Sequence, residues 1–318
     1  MKRLILTLAV TVAMMTAGAA ETPVKICPFY EGKDAVFLLA FDDACVSQLA
    51  NAIPVLTKYR VAGTFYLITE SGQFKWKRDE WAKQADNEYV FFGNHTSTHK
   101  GVNSPDELDA QLDDANKVLK ELTPNKPWPR VISFAVPGGV PWKLSKEELK
   151  AKLSARNLVE RPDFQTPPWF CKTVADAEKY IDKCLAEGKM GHIDFHGIGG
   201  DWLSNPTEYL EGVAKKLDSV RDRMWLTGAS EWNKYTAEAA EAQVKVESKT
   251  ATSMKLSVSI GKLDPKIWDH PLTLELETKW PSAKVTVGKD KPFVVKAKDG
   301  RVRFSVKPGE KVSLAKGA

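Results

Sequence analysis

From Asp34 to about Ala240, short apolar runs alternate with longer stretches of helical period. Ala35-Val-Phe-Leu-Leu-Ala-Phe41 is apolar at every position, as a strand buried on both faces of a parallel sheet must be. Residues 46–60 follow with helical spacing, Leu49, Ile53, Val55 and Leu56 forming the apolar side. Residues 63–68, 89–92, 131–134, 192–196 and 224–227 read as further strands. Helices are predicted over 104–122, where Ser104 is the N-cap and Pro105 the first helical residue, and over 145–155. Others are predicted over 174–187, closed by Gly188, over 207–221 and over 230–240. Strand–helix alternation sustained over about 200 residues predicts an α/β fold, either a parallel sheet or a closed barrel.

After Glu241 the period changes to two. Residues 244–247, 254–260, 272–278, 284–287, 293–296, 302–306 and 311–314 alternate apolar with polar, and Lys298-Asp299-Gly300 and Lys307-Pro308-Gly309 mark turns between them. Seven short strands in so few residues predict a small all-β sandwich. Charge changes at the same place: residues 241–318 hold 16 Lys and Arg against 9 Asp and Glu, and residues 21–240 hold 28 against 32. We therefore divide the chain into 1–20, 21–240 and 241–318. No basic run interleaved with aromatics points to nucleic acid, so none is expected as a partner.

The first 20 residues have their own pattern. Lys2 and Arg3 precede an apolar run over 4–15, and Ala17-Gly18-Ala19-Ala20 follows, the order of a secretory signal peptide cleaved near Ala19 or Ala20. That run is too short to span a bilayer and no longer one occurs later, so no membrane span is expected and the mature protein is predicted to be periplasmic or secreted. Of the four cysteines, Cys27, Cys45, Cys171 and Cys184, the last two are close in sequence and are the expected pair if a disulfide forms after export.

Three groups that could carry chemistry lie at the ends of predicted strands, where ligand sites form in barrels and open α/β sheets. Asp42-Asp43 leaves the first strand, and adjacent carboxylates face different directions, so one can bind a metal while the other acts as a base. His95 and His99 follow the third strand, and on a helical turn that spacing puts both imidazoles on one side, as a shared divalent ion requires. His196 ends a later strand beside Gly197, with Asp194 on the same strand face and able to orient its ring. An aspartate with two histidines leaves coordination positions open to water, the layout of a catalytic metal site.

Together, Ala40-Phe41-Asp42-Asp43-Ala44, His95-Thr96-Ser97-Thr98-His99, Phe134-Ala135-Val136-Pro137-Gly138 and Asp194-Phe195-His196 resemble, in order and spacing, the motifs of the polysaccharide deacetylase family (carbohydrate esterase family 4) over residues 34–240. The resemblance implies a distorted (β/α) barrel, usually of seven strands, with a divalent metal, Zn2+ first among the choices. It implies that Asp43, His95 and His99 hold the metal, that Asp42 is the general base and His196 the general acid, and that the Gly138 amide meets the oxyanion. Ala135 stands where many members carry an arginine that braces the base, and Arg156 or Arg161 is the expected substitute.

The activity so implied is an exported metal-dependent hydrolase acting on linear amides, removing N-acetyl groups from an N-acetylglucosamine-containing polysaccharide. An O-acetyl esterase on xylan or another glycan, using the same centre, and an inactive carbohydrate-binding protein are the alternatives. Trp76, Trp81, Trp142, Trp169 and Trp202 fall in or near predicted loops, and Trp202 beside His196 is the candidate to stack on a sugar.

Overall fold

A computed structural model describes residues 24–162 and 171–317. The expected signal peptide over residues 1–20 and Trp169 lie outside the described residues. The chain begins with β1 (Val24–Ile26), then β2 (Ala35–Phe41), α1 (Ile53–Tyr59), β3 (Gly63–Leu67), α2 (Gly72–Trp76), α3 (Arg78–Ala82) and β4 (Val90–Asn94). It continues through α4 (Pro105–Leu122), β5 (Ile132–Phe134), α5 (Lys146–Ser154), β6 (Leu158–Glu160), α6 (Val174–Glu187), β7 (Met190–Phe195), α7 (Thr207–Ser219), β8 (Met224–Leu226) and α8 (Ala229–Glu241). Seven strands follow: β9 (Gln243–Lys249), β10 (Ser253–Ser259), β11 (Leu272–Glu277), β12 (Ser282–Val287), β13 (Phe293–Lys296), β14 (Arg301–Val306) and β15 (Lys311–Lys316).

The parallel strands form a seven-stranded sheet in the order β6-β5-β4-β3-β2-β7, with β8 also on β2. This is a distorted (β/α) barrel, and the distortion has a visible source. Along one edge β2 pairs with β7 over Val36 to Phe41; its other edge is shared, β3 taking Ala40 and Phe41 and β8 taking Ala35 to Phe37. The helices cover the outside with apolar stripes such as Leu108, Leu112, Ala115, Leu119 and Leu122 of α4, one face of a 3.6-residue period.

The last seven strands, joined by β1, build two antiparallel sheets, β13-β12-β15-β10-β9 and β1-β11-β14. β10 buries Met254, Leu256 and Val258, and β14 buries Val302, Phe304 and Val306, with charged residues between them facing water. β1 pairs with β11, so the amino-terminal end of the 21–240 stretch packs with the sandwich and not with the barrel. The two faces of β2 serve different cores. Phe37, Leu39 and Phe41 pack under the helices, whereas Val36 and Leu38 join Trp225, Tyr235 and the sandwich residues Leu256 and Leu274.

All four cysteines are free and buried, so the expected Cys171–Cys184 disulfide is not formed; both side chains pack in the helix-covered core as small apolar groups.

The seam between barrel and sandwich holds a titratable group. Glu238 of α8 is fully buried; its Oε1 accepts from the His270 amide at 3.1 Å and its Oε2 has no hydrogen-bond partner among the described residues. Burial pushes this carboxyl up to about 8 from an ordinary 4.5, against the lowering effect of the His270 amide and Lys234. The folded chain therefore keeps a proton that the unfolded chain releases above pH 4.5, and stability falls as pH rises through that window. His270, whose pKa burial lowers, acts in the opposite direction, on the acid side of its ordinary 6.5. Glu238→Gln is expected to match wild type in urea midpoint at pH 5 and exceed it at pH 8. An equal deficit at both would contradict the assignment.

Candidate active site

The exits of β2, β4 and β7 meet at one end of the barrel. Asp42 and Asp43 follow β2, and the Asp42 amide donates to the Phe195 carbonyl of β7 at 2.8 Å. Asp43 and Ala44 have positive φ of 74° and 52°, so the backbone turns sharply and the two carboxylates diverge. Behind the turn is a π-helical segment, Gln48–Ala52. Gln48 is fully buried, and its Nε2 donates to the carbonyls of Asp42 at 2.6 Å and His196 at 2.9 Å, bolting the two strand ends together. A lone glutamine in an amphipathic helix carries no sequence signal for that role.

His95 and His99 do not sit on a helical turn, as the spacing predicted. They occupy a loop beyond β4 in which Thr96 and His99 have φ of 61° and 58°. Asn94 Oδ1 accepts from the Thr96 amide at 2.8 Å and Thr96 Oγ1 from the His99 amide at 3.0 Å. These side-chain caps replace helical hydrogen bonds and bring the rings edge to face, their centroids 4.9 Å apart. His95 Nε2 lies 3.4 Å and His99 Nε2 3.6 Å from Asp43 Oδ1, and one nitrogen or oxygen from each residue falls within 4.8 Å of the others.

His95 Nδ1 is 2.9 Å from the Ala135 carbonyl, so it donates there and Nε2 is left with its lone pair toward Asp43. Asp43 Oδ1 is itself buried with no hydrogen-bond partner among the described residues. A carboxylate oxygen and two imidazole nitrogens thus converge on one place, a set that fits a divalent cation. The electrostatics agree. Burial lowers the His99 pKa, with His95 adding to the effect, which favours the neutral ligand form. Burial works to raise Asp43, but the His95 ring, then His196 and His99, outweigh it and hold the carboxyl below its ordinary value.

Asp42 is buried away from that cluster's centre, its Oδ2 3.9 Å from His95 Nε2. Arg161 Nη1 donates to Asp42 Oδ1 at 2.8 Å and to Asp194 Oδ1 at 3.2 Å, with its guanidinium over the Tyr66 ring, 5.1 Å from the centroid. Burial works against the Arg161 charge, but Asp42 and Asp194 overcome it and raise its pKa. Burial and the Asp42 charge lift Asp194 well above the carboxylate range, with Arg161 opposing.

Two expectations are corrected here. Arg156 is not the brace: it precedes β6, on the outside, and its guanidinium pairs with Asp113 at 2.6 Å and Asp109 at 2.8 Å on α4. Arg161 follows β6, at the strand end that faces the site. Asp194 pairs with Arg161 and does not orient His196, whose Nε2 lies 3.8 Å from Asp43 Oδ2.

Gly138 is exposed in the loop after Pro137, and its amide has no partner among the described residues. Trp142 props that loop, Nε1 donating to the Pro137 carbonyl at 3.0 Å. Trp81 is fully buried, whereas Trp76 and Trp202 are 72% and 64% exposed. Trp202 rides on a loop fixed by Gly197 N to Trp202 O at 2.8 Å, by Ser47 N to Asp201 Oδ2 at 2.6 Å and by Ser47 Oγ to Gly200 O at 3.1 Å. A Cβ at Gly197 would sit 2.0 Å from the Gly200 carbonyl, so only glycine allows this fold-back. Trp202, Asp43, His99, Thr98, Ser71 and Gln73 line an open cleft of about 390 Å³.

Residues 30–154 match the family model described as polysaccharide deacetylase. That stretch contains Asp42, Asp43, His95, His99 and Gly138 and ends before Arg161, Asp194 and His196. No curated protein matches the chain. Among solved structures it is similar to the peptidoglycan deacetylase PdaC from Bacillus subtilis, at 16% identity and TM-score 0.45, over 63% of this chain and 90% of that one. It is similar to a family 4 carbohydrate esterase from Streptomyces lividans, at 15% identity and TM-score 0.47, over 61% and 92%. A family 4 pseudoenzyme from Bacillus anthracis matches at 18% identity and TM-score 0.45, over 61% of this chain and 63% of its own, so less than two thirds of its length is spanned.

Proposed function

We propose that this chain, whose residues 30–154 match the polysaccharide deacetylase family model, is an exported hydrolase that removes N-acetyl groups from an N-acetylglucosamine-containing polysaccharide. The observation that carries this reading is the convergence of Asp43, His95 and His99 beside a separately braced Asp42. Asp43, His95 and His99 would hold a divalent cation, Zn2+ suiting two imidazoles and one carboxylate. When bound it supplies Lewis-acid polarisation of the acetyl carbonyl and lowers the pKa of water from 15.7 to about 7.

The chain's own groups do the rest. Asp42, fixed by Arg161, takes the proton of the attacking water. The Gly138 amide donates to the oxygen on which negative charge develops. His196, on the opposite side of Asp43, delivers a proton to the departing amine, without which an amide does not cleave. Trp202 offers its exposed face to a sugar ring above the cleft. The basic–apolar–small order of residues 1–20 supports export to the periplasm or beyond, where acetylated polysaccharide is the partner.

Acetate release from acetylated chitin oligomers, peptidoglycan, exopolysaccharide and xylan, with and without added metal, tests this reading. Release from the N-acetyl substrates with a bell-shaped pH dependence is expected, and His196→Ala should cost about 10²–10⁴-fold on amides and less on esters. Release from acetylated xylan alone would make it an O-acetyl esterase. No release from any substrate would leave a binding protein.

A further inference from the structure

At the end of the sandwich remote from the barrel, the β9–β10 hairpin, the β11–β12 connection and the turn entering β14 enclose a cleft of about 570 Å³. Met254 and Leu276, both buried, form its floor. Trp280 forms a wall: its Nε1 donates to the Ala251 carbonyl at 2.9 Å and its amide to Thr278 Oγ1 at 3.1 Å, which fixes the indole against the opening. Charge around the rim is uneven. Glu277 pairs with Lys25 at 3.4 Å and Arg301 with Glu275 at 3.6 Å, while Lys249 and Lys279 have no acidic partner among the described residues, and Asp299 is the other acidic residue of the lining.

A fixed aromatic plate over an apolar floor, bordered by two unpaired ammonium groups, has the chemistry to take a pyranose that carries a carboxylate. The sugar's C–H face would lie on the indole and its carboxylate would meet Lys249 and Lys279. Position separates this cleft from the reacting centre. β11 starts beside His270, which packs on Trp225 and Tyr235 of the barrel, and runs about 14 Å away to Leu276 and the cleft. Asp42 and Asp43 follow the other end of the barrel strand β2, and the cleft beside them shares no lining residue with this one. One sugar cannot touch both places, but one polymer can.

We propose that this cleft is a second glycan site, binding a carboxylate-bearing segment of a polysaccharide and tethering the enzyme to the polymer it works on. Binding there is independent of the catalytic reading, whereas its use as a tether rests on that reading. Holding one segment raises the effective concentration of others at the catalytic end.

The test is calorimetric titration of the full chain, with a chelator present to stop hydrolysis, using a hexasaccharide of alternating uronate and N-acetylhexosamine and, in parallel, neutral chitohexaose. The uronate oligomer is expected to bind saturably and at least tenfold tighter than chitohexaose. Trp280→Ala should weaken it at least tenfold. Lys249→Glu with Lys279→Glu, two exposed positions that leave the packing intact, should do the same with an unchanged far-UV spectrum. No saturable binding, or binding that both variants leave unaltered, overturns the proposal. Binding that depends on Trp280 and the two lysines in a chain that releases no acetate from any substrate would uphold the cleft and sink the hydrolase.

Discussion

His99→Asn is expected to lower acetate release at least about 10³-fold, the rate equivalent of the several kcal/mol a Lewis acid contributes, and to lower bound divalent metal from one ion per chain to well below that. Asparagine is the informative replacement because position 99 has φ of 58°, a left-handed conformation that asparagine adopts at lower cost than alanine. The His99 amide still bonds to Thr96 Oγ1, so the loop keeps its shape while a ligand is lost. Metal content after dialysis and the initial rate of acetate release, read on the same preparation, check this outcome. Wild-type stoichiometry in the variant would remove His99 from the centre whatever the rate.

Arg161→Ala carries the second large effect, on stability as well as rate. Its loss leaves Asp42 and Asp194 buried together without their cation, and breaking a buried pair costs about 3–5 kcal/mol. The rate should fall by two or more orders of magnitude even where the variant is folded, because a misplaced base loses its geometry before its basicity. Arg161→Lys keeps the charge but not the planar fork and should fall between the two. Arg156→Ala is the control. Its partners, Asp109 and Asp113 of α4, lie away from the site and keep contact with water, so activity should stay near wild type and the urea midpoint should fall by less than in Arg161→Ala. Equal effects from the two substitutions would refute the assignment of Arg161 as the brace.

That contrast marks where sequence reasoning runs out. The barrel and sandwich were legible because β2 is apolar throughout and β10 and β14 alternate, patterns that burial imposes directly. Asp42, Asp43, His95, His99 and His196 were legible as candidates because each follows a strand end. β6 was missed: three residues give no period to detect, and with it went the means of telling Arg156 from Arg161, which differ only in which end of that strand they flank. The helical-turn reading of His95 and His99 failed because spacing alone does not distinguish a helix from a loop closed by Asn94 and Thr96. Asp194 was read from strand alternation as a partner for His196. Alternation puts it on the inner face correctly, but the inner face also holds Arg161, and charge won over proximity in sequence. Gln48, which joins two strand ends, and β1, which joins a sheet whose other strands come at the far end of the chain, are both set by tertiary partners and leave no local trace.

The pairing of β1 with β11 has a consequence for how the molecule is assembled. Topologically the barrel is an insertion, spliced between the opening strand of the sandwich and the remaining seven. During synthesis β1 emerges first and must wait, its edge unmatched, until nearly the whole polypeptide has followed, so the earliest part of the mature fold to be made is among the last to be seated.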